Sequence, residues 1–288
     1  VNHTAPTLTL ALQQTAPLAA DVAGNLARLE RAALHAAASG ADLLVCPEMS
    51  LTGYHIGAAA VQRLAEAADG AMAQAVAAIA QTAGLAIVYG YPERGADGAV
   101  FNAAQCIAAD GRRLANHRKT HLFGNLDRAM FSAGAGLSPL FELKGWSVGL
   151  LICYEIEFPE NVRQRALAGA DLIAVPTANM REFDFVATTL VPTRAYENPC
   201  FVAYANHCGR EGEIDYGGLS SIVAPGGAFL ALADRDEALL VTALNRAQLV
   251  ASRERFPYLA DRRPELYAAS AGITITAAAS NARPTDAA

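Results

Sequence analysis

Charge is scarce in this chain of 288 residues: Asp, Glu, Lys and Arg supply 17% of it, against 53% for the hydrophobic set. That excludes an extended, self-repelling chain and leaves ample apolar surface for a core. No Lys/Arg-rich run is present, the formal net charge is -6 and the pI about 5.5, so the footing for several phosphate contacts is missing and nucleic acid is not an expected partner. Long apolar runs are missing as well. Val148 to Ile152 and Leu172 to Val175 are strand-sized, far short of the roughly 20 residues a bilayer requires, and no membrane span is expected. The five cysteines, at 46, 106, 153, 200 and 208, are odd in number and irregular in spacing, which argues against a disulfide framework and for free thiols. Val1 to Leu18 lacks the basic start and unbroken apolar stretch of a secretory signal, so a cytoplasmic location is the expectation.

What the chain does have is a succession of strand-length apolar runs: Thr7 to Leu12, Asp42 to Cys46, Leu85 to Tyr91, Phe101 to Ile107, Trp146 to Ile152, Asp171 to Pro176, Cys200 to Asn206, Ser220 to Val223 and Leu239 to Ala243. Near-continuous apolar strands are buried on both faces. Helical stretches separate several of them: Ala20 to Ser39, closed by Gly40; Ala59 to Ala83, closed by Gly84; and Pro159 to Ala168. Later strands lie closer together, with Pro225-Gly226-Gly227 as a hairpin turn before Phe229 to Ala233. This mixture predicts an α/β domain with helices outside a two-sheet core, in place of a purely doubly wound sheet. It spans 1–267 without a linker, and the weakly periodic, nearly uncharged 268–288 reads as a tail.

Three polar residues fall at or near strand ends, where α/β folds place ligands. Glu48 follows Leu43 to Pro47, Lys119 lies in Asn116 to His121, and Cys153 closes Val148 to Ile152. A thiol must ionise to attack, and Cys153 precedes a helix start at Glu157 to Glu160 whose amide dipoles favour a thiolate. Glu48 is suited to shuttle a proton and Lys119 to hold a developing oxyanion. Taken singly, each has a plainer reading: a buried structural thiol, as for Cys46, Cys106 and Cys200, a solvated glutamate, a surface lysine.

The strings Cys46-Pro47-Glu48-Met49-Ser50-Leu51-Thr52-Gly53-Tyr54, Arg118-Lys119-Thr120-His121-Leu122-Phe123 and Gly149 through Glu160, with Cys153-Tyr154-Glu155-Ile156-Glu157 at its centre, resemble the three signature blocks of the nitrilase superfamily, the carbon-nitrogen hydrolases, in the family's order. The likeness continues through Pro176 to Asn179, Arg194 to Asn198 and Gly217 to Gly227, covering nearly all of 7–250. It implies a four-layer α-β-β-α sandwich that pairs with a second copy, a Glu-Lys-Cys triad falling on Glu48, Lys119 and Cys153, and neither metal nor organic cofactor. It further implies that the Tyr154 backbone amide shares the oxyanion, that Asp127 stands where many members carry a second Glu, its shorter side chain reaching through water or enlarging the pocket, and that Tyr54 and Asn179 line the substrate pocket, with Met180 after them. Glu160 is expected to be structural, paired with an arginine such as Arg194, and Glu157 receives no role.

The segment around the nucleophile is similar to the amidase branch, which implies hydrolysis of a small-molecule amide to acid and ammonia through a cysteine thioester. Nitrile or carbamoyl substrates are the alternatives within the superfamily, Arg181 being the residue available to grip a substrate carboxylate. Outside that class stand a Cys-His hydrolase using His121 or His207 with Asn198 or Asn206, a silent binding or regulatory subunit, and a metal site of His207, Cys208 and Cys200 that lacks a fourth ligand.

Overall fold

A computed structural model of the protein describes residues 7–270. The chain runs β1 (Leu8–Gln14), α1 (Val22–Ala38), β2 (Leu43–Val45), α2 (Ala58–Leu64), α3 (Ala71–Ala83), β3 (Ala86–Arg94), β4 (Val100–Ile107), β5 (Arg113–Arg118), α4 (Gly124–Met130), β6 (Phe141–Leu143), β7 (Trp146–Leu150), α5 (Pro159–Leu167), β8 (Leu172–Thr177) and α6 (Val191–Glu197). It continues through β9 (Phe201–Asn206), β10 (Cys208–Glu211), β11 (Ile214–Gly217), β12 (Ser221–Val223), β13 (Phe229–Leu232), β14 (Ala238–Leu244), α7 (Arg246–Arg255) and α8 (Pro264–Ser270).

Two six-stranded sheets form, ordered β14-β1-β2-β3-β4-β5 and β13-β12-β9-β8-β7-β6, with β10 and β11 as a separate hairpin. Parallel strands occupy each centre and antiparallel strands each edge. The period-2 alternation of strand side chains divides the apolar residues between two faces. Leu8, Leu10, Leu12, Leu43, Val45 and Val88 of the first sheet meet Trp146, Val148, Leu150, Leu172 and Phe201 of the second in the central core. The opposite face of the first sheet, with Ala11, Leu44 and Ile87, is covered by Leu29, Ala33 and Ala36 of α1 and Met72, Val76 and Ala80 of α3. Ile173, Val175 and Val202 of the second sheet are covered by Val162 of α5 and Val191 and Ala195 of α6. The result is the expected α-β-β-α sandwich.

Local chemistry sets the helix limits. Asp21 caps α1, its carboxylate accepting from Gly24 N at 2.9 Å, and α3 ends at Gly84 in the left-handed region (φ 71°), a pairing of cap and stop that sequence reading uses well. The single helix expected over Ala59 to Ala83 is two. Glu66 bridges to Glu93 on β3, its backbone bonding Pro92 O and Arg94 N, and its carboxylate accepts from Met72 N at 2.8 Å at the start of α3. A backbone that pairs with a strand cannot continue a helical ladder. The strands β5 and β6 and the β10-β11 hairpin are additions to the expected set. The segment 268–288 lies outside the described residues except for its first three positions, which end α8. Among the described residues no helix is long and apolar enough to cross a membrane.

Candidate active site

Glu48, Lys119 and Asp127 belong to the first sheet and its loops, Cys153 to the second, and the sandwich brings them to one end. Glu48 sits in the turn after β2, where Met49 takes a positive φ of 51°. Gly90 on β3 makes this turn possible, because a Cβ there would lie 2.2 Å from Met49 N and 2.9 Å from the Glu48 carbonyl carbon. The second sheet grips the same turn from the other side: Glu48 N donates to Thr177 O at 3.3 Å, and His207 Nε2 lies 2.8 Å from Glu48 O while Nδ1 lies 2.9 Å from Thr15 O. With both ring nitrogens facing backbone carbonyls, His207 supports the Glu48 turn and is not placed to serve a thiol.

Lys119 is completely buried. Its Nζ donates to Glu48 Oε1 and Asp127 Oδ2, both at 2.7 Å, so the expected second carboxylate is in direct contact and needs no water to reach the amine. Asp127 Oδ2 also accepts from Phe123 N at 2.8 Å, and Oδ1 from the Tyr54 hydroxyl at 2.8 Å. Tyr54 is therefore a buried support for Asp127, with Lys119 Nζ 5.8 Å from its ring centroid. Asn102, in the middle of β4, donates from Nδ2 to Glu48 Oε1 at 2.7 Å. Oε1 thus has two donors, whereas Oε2 is buried with none among the described residues.

Cys153 is half-buried and opens a five-residue 3-10 turn, Cys153–Glu157, with φ at 48°. Positive φ at a non-glycine residue is a strained placement that sites tolerate and ordinary turns avoid. The helix start expected to favour a thiolate, at Pro159, is separated from the sulfur by this whole turn. Burial instead pushes the thiol well above its ordinary value, Glu48 adds to the rise, and Lys119 and the Ala178 backbone amide oppose it. Glu48 is likewise raised by burial, against the pull of Lys119 and with a push from Asp127. Burial alone would lower Lys119, yet Glu48 and Asp127 overcome it and hold the ammonium charged. The arrangement is a protonated thiol beside a carboxylate made more basic by its surroundings, with a fixed cation between two carboxylates.

Glu155, unassigned by sequence reading, ties the two halves together. Its carboxylate accepts from Ile152 N at 2.7 Å, Thr120 N at 2.8 Å and the Thr120 hydroxyl, and contacts His117 Nε2 at 2.8 Å. The turn bearing the sulfur is thereby fixed to the strand end bearing Lys119. Although burial opposes it, His117 and the Thr120 donors bring the Glu155 carboxyl down to about 2. The signal available in the sequence was its place two residues after the thiol; for Asn102 it was its place as one of two amides, with Gln105, inside a largely apolar strand.

Tyr154 packs edge-on against Phe123 and Phe158, with centroids 5.4 and 4.9 Å apart, and Phe183 meets Phe123 at 5.7 Å. Asn179 donates from Nδ2 to Phe183 O at 3.1 Å and so holds this aromatic rim. Met180 bridges to Tyr216, and Arg181 is mostly exposed with Asp215 3.8 Å away. The expected pairing of Arg194 with Glu160 is not formed. Arg194 donates to Ile156 O, Glu157 O and Glu197 Oε1 at 3.0, 2.6 and 3.1 Å, so it anchors the end of the Cys153 turn. His121 packs on Phe158, its Nδ1 2.8 Å from the Thr120 hydroxyl.

Residues 9–254 match the family model described as carbon-nitrogen hydrolase. The chain is 59% identical over 261 residues to a hydrolase of Pseudomonas protegens named for its position in the pqqF 5′ region, covering 91% of each. It is 36% identical to an (R)-stereoselective amidase of a Pseudomonas species, covering 88% of this chain and 90% of that protein. Among solved structures, a Nesterenkonia amidase of the nitrilase superfamily superposes with a TM-score of 0.79 at 33% identity, over 91% of this chain and 97% of the other. Sandwich, site and these likenesses agree: the chain belongs to the carbon-nitrogen hydrolase family, on the amidase-like branch of the nitrilase superfamily.

Proposed function

We propose that the protein hydrolyses a small carboxamide to a carboxylic acid and ammonia through a thioester on Cys153. The observation carrying this reading is the buried Glu48-Lys119-Asp127 chain at the Cys153 elbow, which offers an acid/base, a fixed cation and a nucleophile to one carbonyl. Glu48 takes the thiol proton on Oε2, the oxygen no described residue donates to, as sulfur bonds the carbonyl carbon and the π pair moves to oxygen. Lys119 Nζ and the Tyr154 amide hold that oxyanion. Its collapse breaks the C–N bond while Glu48 returns the proton to the departing nitrogen, releasing ammonia and leaving the thioester. Water then attacks with Glu48 as base, and the expelled sulfur recovers a proton. Asp127, through Lys119, and Tyr54, through Asp127, keep the cation in place.

Relatives point the same way. A 2-oxoglutaramate amidase of Bacillus subtilis is 32% identical over 229 residues. A variant of the Nesterenkonia amidase carries the acetamide moiety of fluoroacetamide added covalently at its active-site cysteine. Ammonia release should be measured from a panel of amides, nitriles and N-carbamoyl amino acids; turnover confined to nitriles or carbamoyl compounds would overturn the amide reading, and none at all would favour a silent binding subunit. Cys153→Ala is expected to lower kcat by about four orders of magnitude or more with its melting temperature little changed. Glu48→Gln should lower kcat and not merely raise KM, and intact mass should reveal the acylated protein.

A further inference from the structure

The turn that begins with Cys153 ends with Glu157, a carboxylate that the mechanism above leaves unused. It is half-buried. Its backbone carbonyl is fixed by Arg194 Nη2 at 2.6 Å, while the guanidinium's other contacts go to Ile156 O and Glu197. Among the described residues no donor reaches the Glu157 carboxylate and no ion pair includes it. It stands four residues after Cys153 on the same five-residue turn, within electrostatic reach of Lys119, and buried Tyr204 feels both it and Cys153. Partly burying an anion without a partner is costly, and such a group commonly meets its partner in a ligand. We infer that Glu157 is the specificity-determining residue for the amidase reaction, receiving a protonated amine, or another cationic N–H donor, carried by the substrate close to its scissile carboxamide.

The surroundings favour the same charge. Burial raises the Glu157 carboxyl and Lys119 and Arg194 oppose the rise from a distance, without either forming an ion pair with it. Next in the chain to Asn179, which holds the aromatic rim, a cavity of about 510 Å³ is lined by Met180, Arg181, Glu182, Glu213, Ile214 and Asp215, so carboxylates outnumber the one arginine there. A substrate bearing its own carboxylate would meet the Glu157 carboxylate on the turn that carries Cys153. Substrates of the amino-amide class are therefore preferred over neutral amides, and both over amides of dicarboxylic acids.

This inference rests on the amidase reading, and one comparison separates the two. Alaninamide and isobutyramide differ by an amine in place of a methyl group. Below the α-amino range, at pH about 7, the wild-type protein is expected to favour alaninamide by about 10- to 100-fold in kcat/KM, the range of one charge-assisted contact. Glu157→Gln should erase most of that ratio, and Glu157→Arg should shift preference toward succinamate. The wild-type ratio should also fall as pH rises and the substrate amine loses its proton. Turnover of isobutyramide without preference for alaninamide would overturn the inference and leave the amidase reading standing; turnover of neither would overturn both. Equal losses on the two substrates in Glu157→Gln would make the residue structural or catalytic and would also overturn it.

Discussion

At the scale of single residues, the site sets buried groups against one another: Lys119 and Glu155 are held charged by their partners, while burial raises Glu48 and Cys153. Glu155 shows the consequence for stability. Its carboxyl is brought down to about 2 in the folded protein, below the ordinary value of about 4.3 for an unfolded glutamate. A depressed carboxyl stabilises the fold above the unfolded value and loses that contribution as pH falls through the folded one. The window is therefore pH about 4 down to about 2, and the contribution is roughly 3 kcal/mol. Denaturant unfolding at pH about 6 and pH about 3 should show Glu155→Gln less stable at the higher pH and closer to wild type at the lower. A constant difference between the two pH values would mean that the carboxylate charge is not what ties Ile152, Thr120 and His117 together.

At the scale of elements, the strands were legible and their partners less so. Buried strands such as β3 and β8 announce themselves by continuous apolar runs, and α1 and α3 by their glycine stops. β5 did not, because it carries Arg113, Asn116, His117 and Arg118, whose roles come from β4, Glu93 and Glu155 across space. The break between α2 and α3 was hidden for a similar reason: alanine-rich sequence favours helix on both sides, and the pairing of Glu66 with β3 interrupts it before α3 restarts after Gly70. Glu48, Lys119 and Cys153 were readable as motif positions, whereas Asn102, Glu155 and the close approach at Gly90 depend on neighbours distant in the chain. Gly90→Ala tests that approach. The added methyl must displace the Met49 amide and the Glu48 carbonyl carbon, so we expect a loss of about 2 kcal/mol or more in denaturant unfolding. The loss in kcat should exceed what the unfolded fraction explains. An active, stable variant would show that the Glu48 turn moves without cost.

At the scale of the whole molecule, the outer helical layer over the second sheet and the C-terminal helices leave large apolar side chains in solvent, including Leu167 at the end of α5 (48% exposed), Phe185 before α6 (63%) and Val250 on α7 (50%). Exposed apolar surface of this kind fits the pairing that the family resemblance implies. Light scattering is expected to give twice the chain mass of 30.1 kDa, and a monomer at micromolar concentration would remove that proposal.

The first sheet is closed by its two most distant strands, β1 against β14, with Leu8 opposite Leu244. Beside that seam, Gln14 donates to Asp234 O and Asp236 O and accepts from Ser220 N, and Thr15 O meets the histidine that supports Glu48. During synthesis every residue of the site is therefore made before the strand that seals the sheet behind it. Until then β1 offers an open edge, the kind of surface on which nascent chains go astray. Cys153 and Glu48 stand on different sheets, and the first sheet is complete only once β14 has been made, so the order of synthesis places the assembly of the proposed site late.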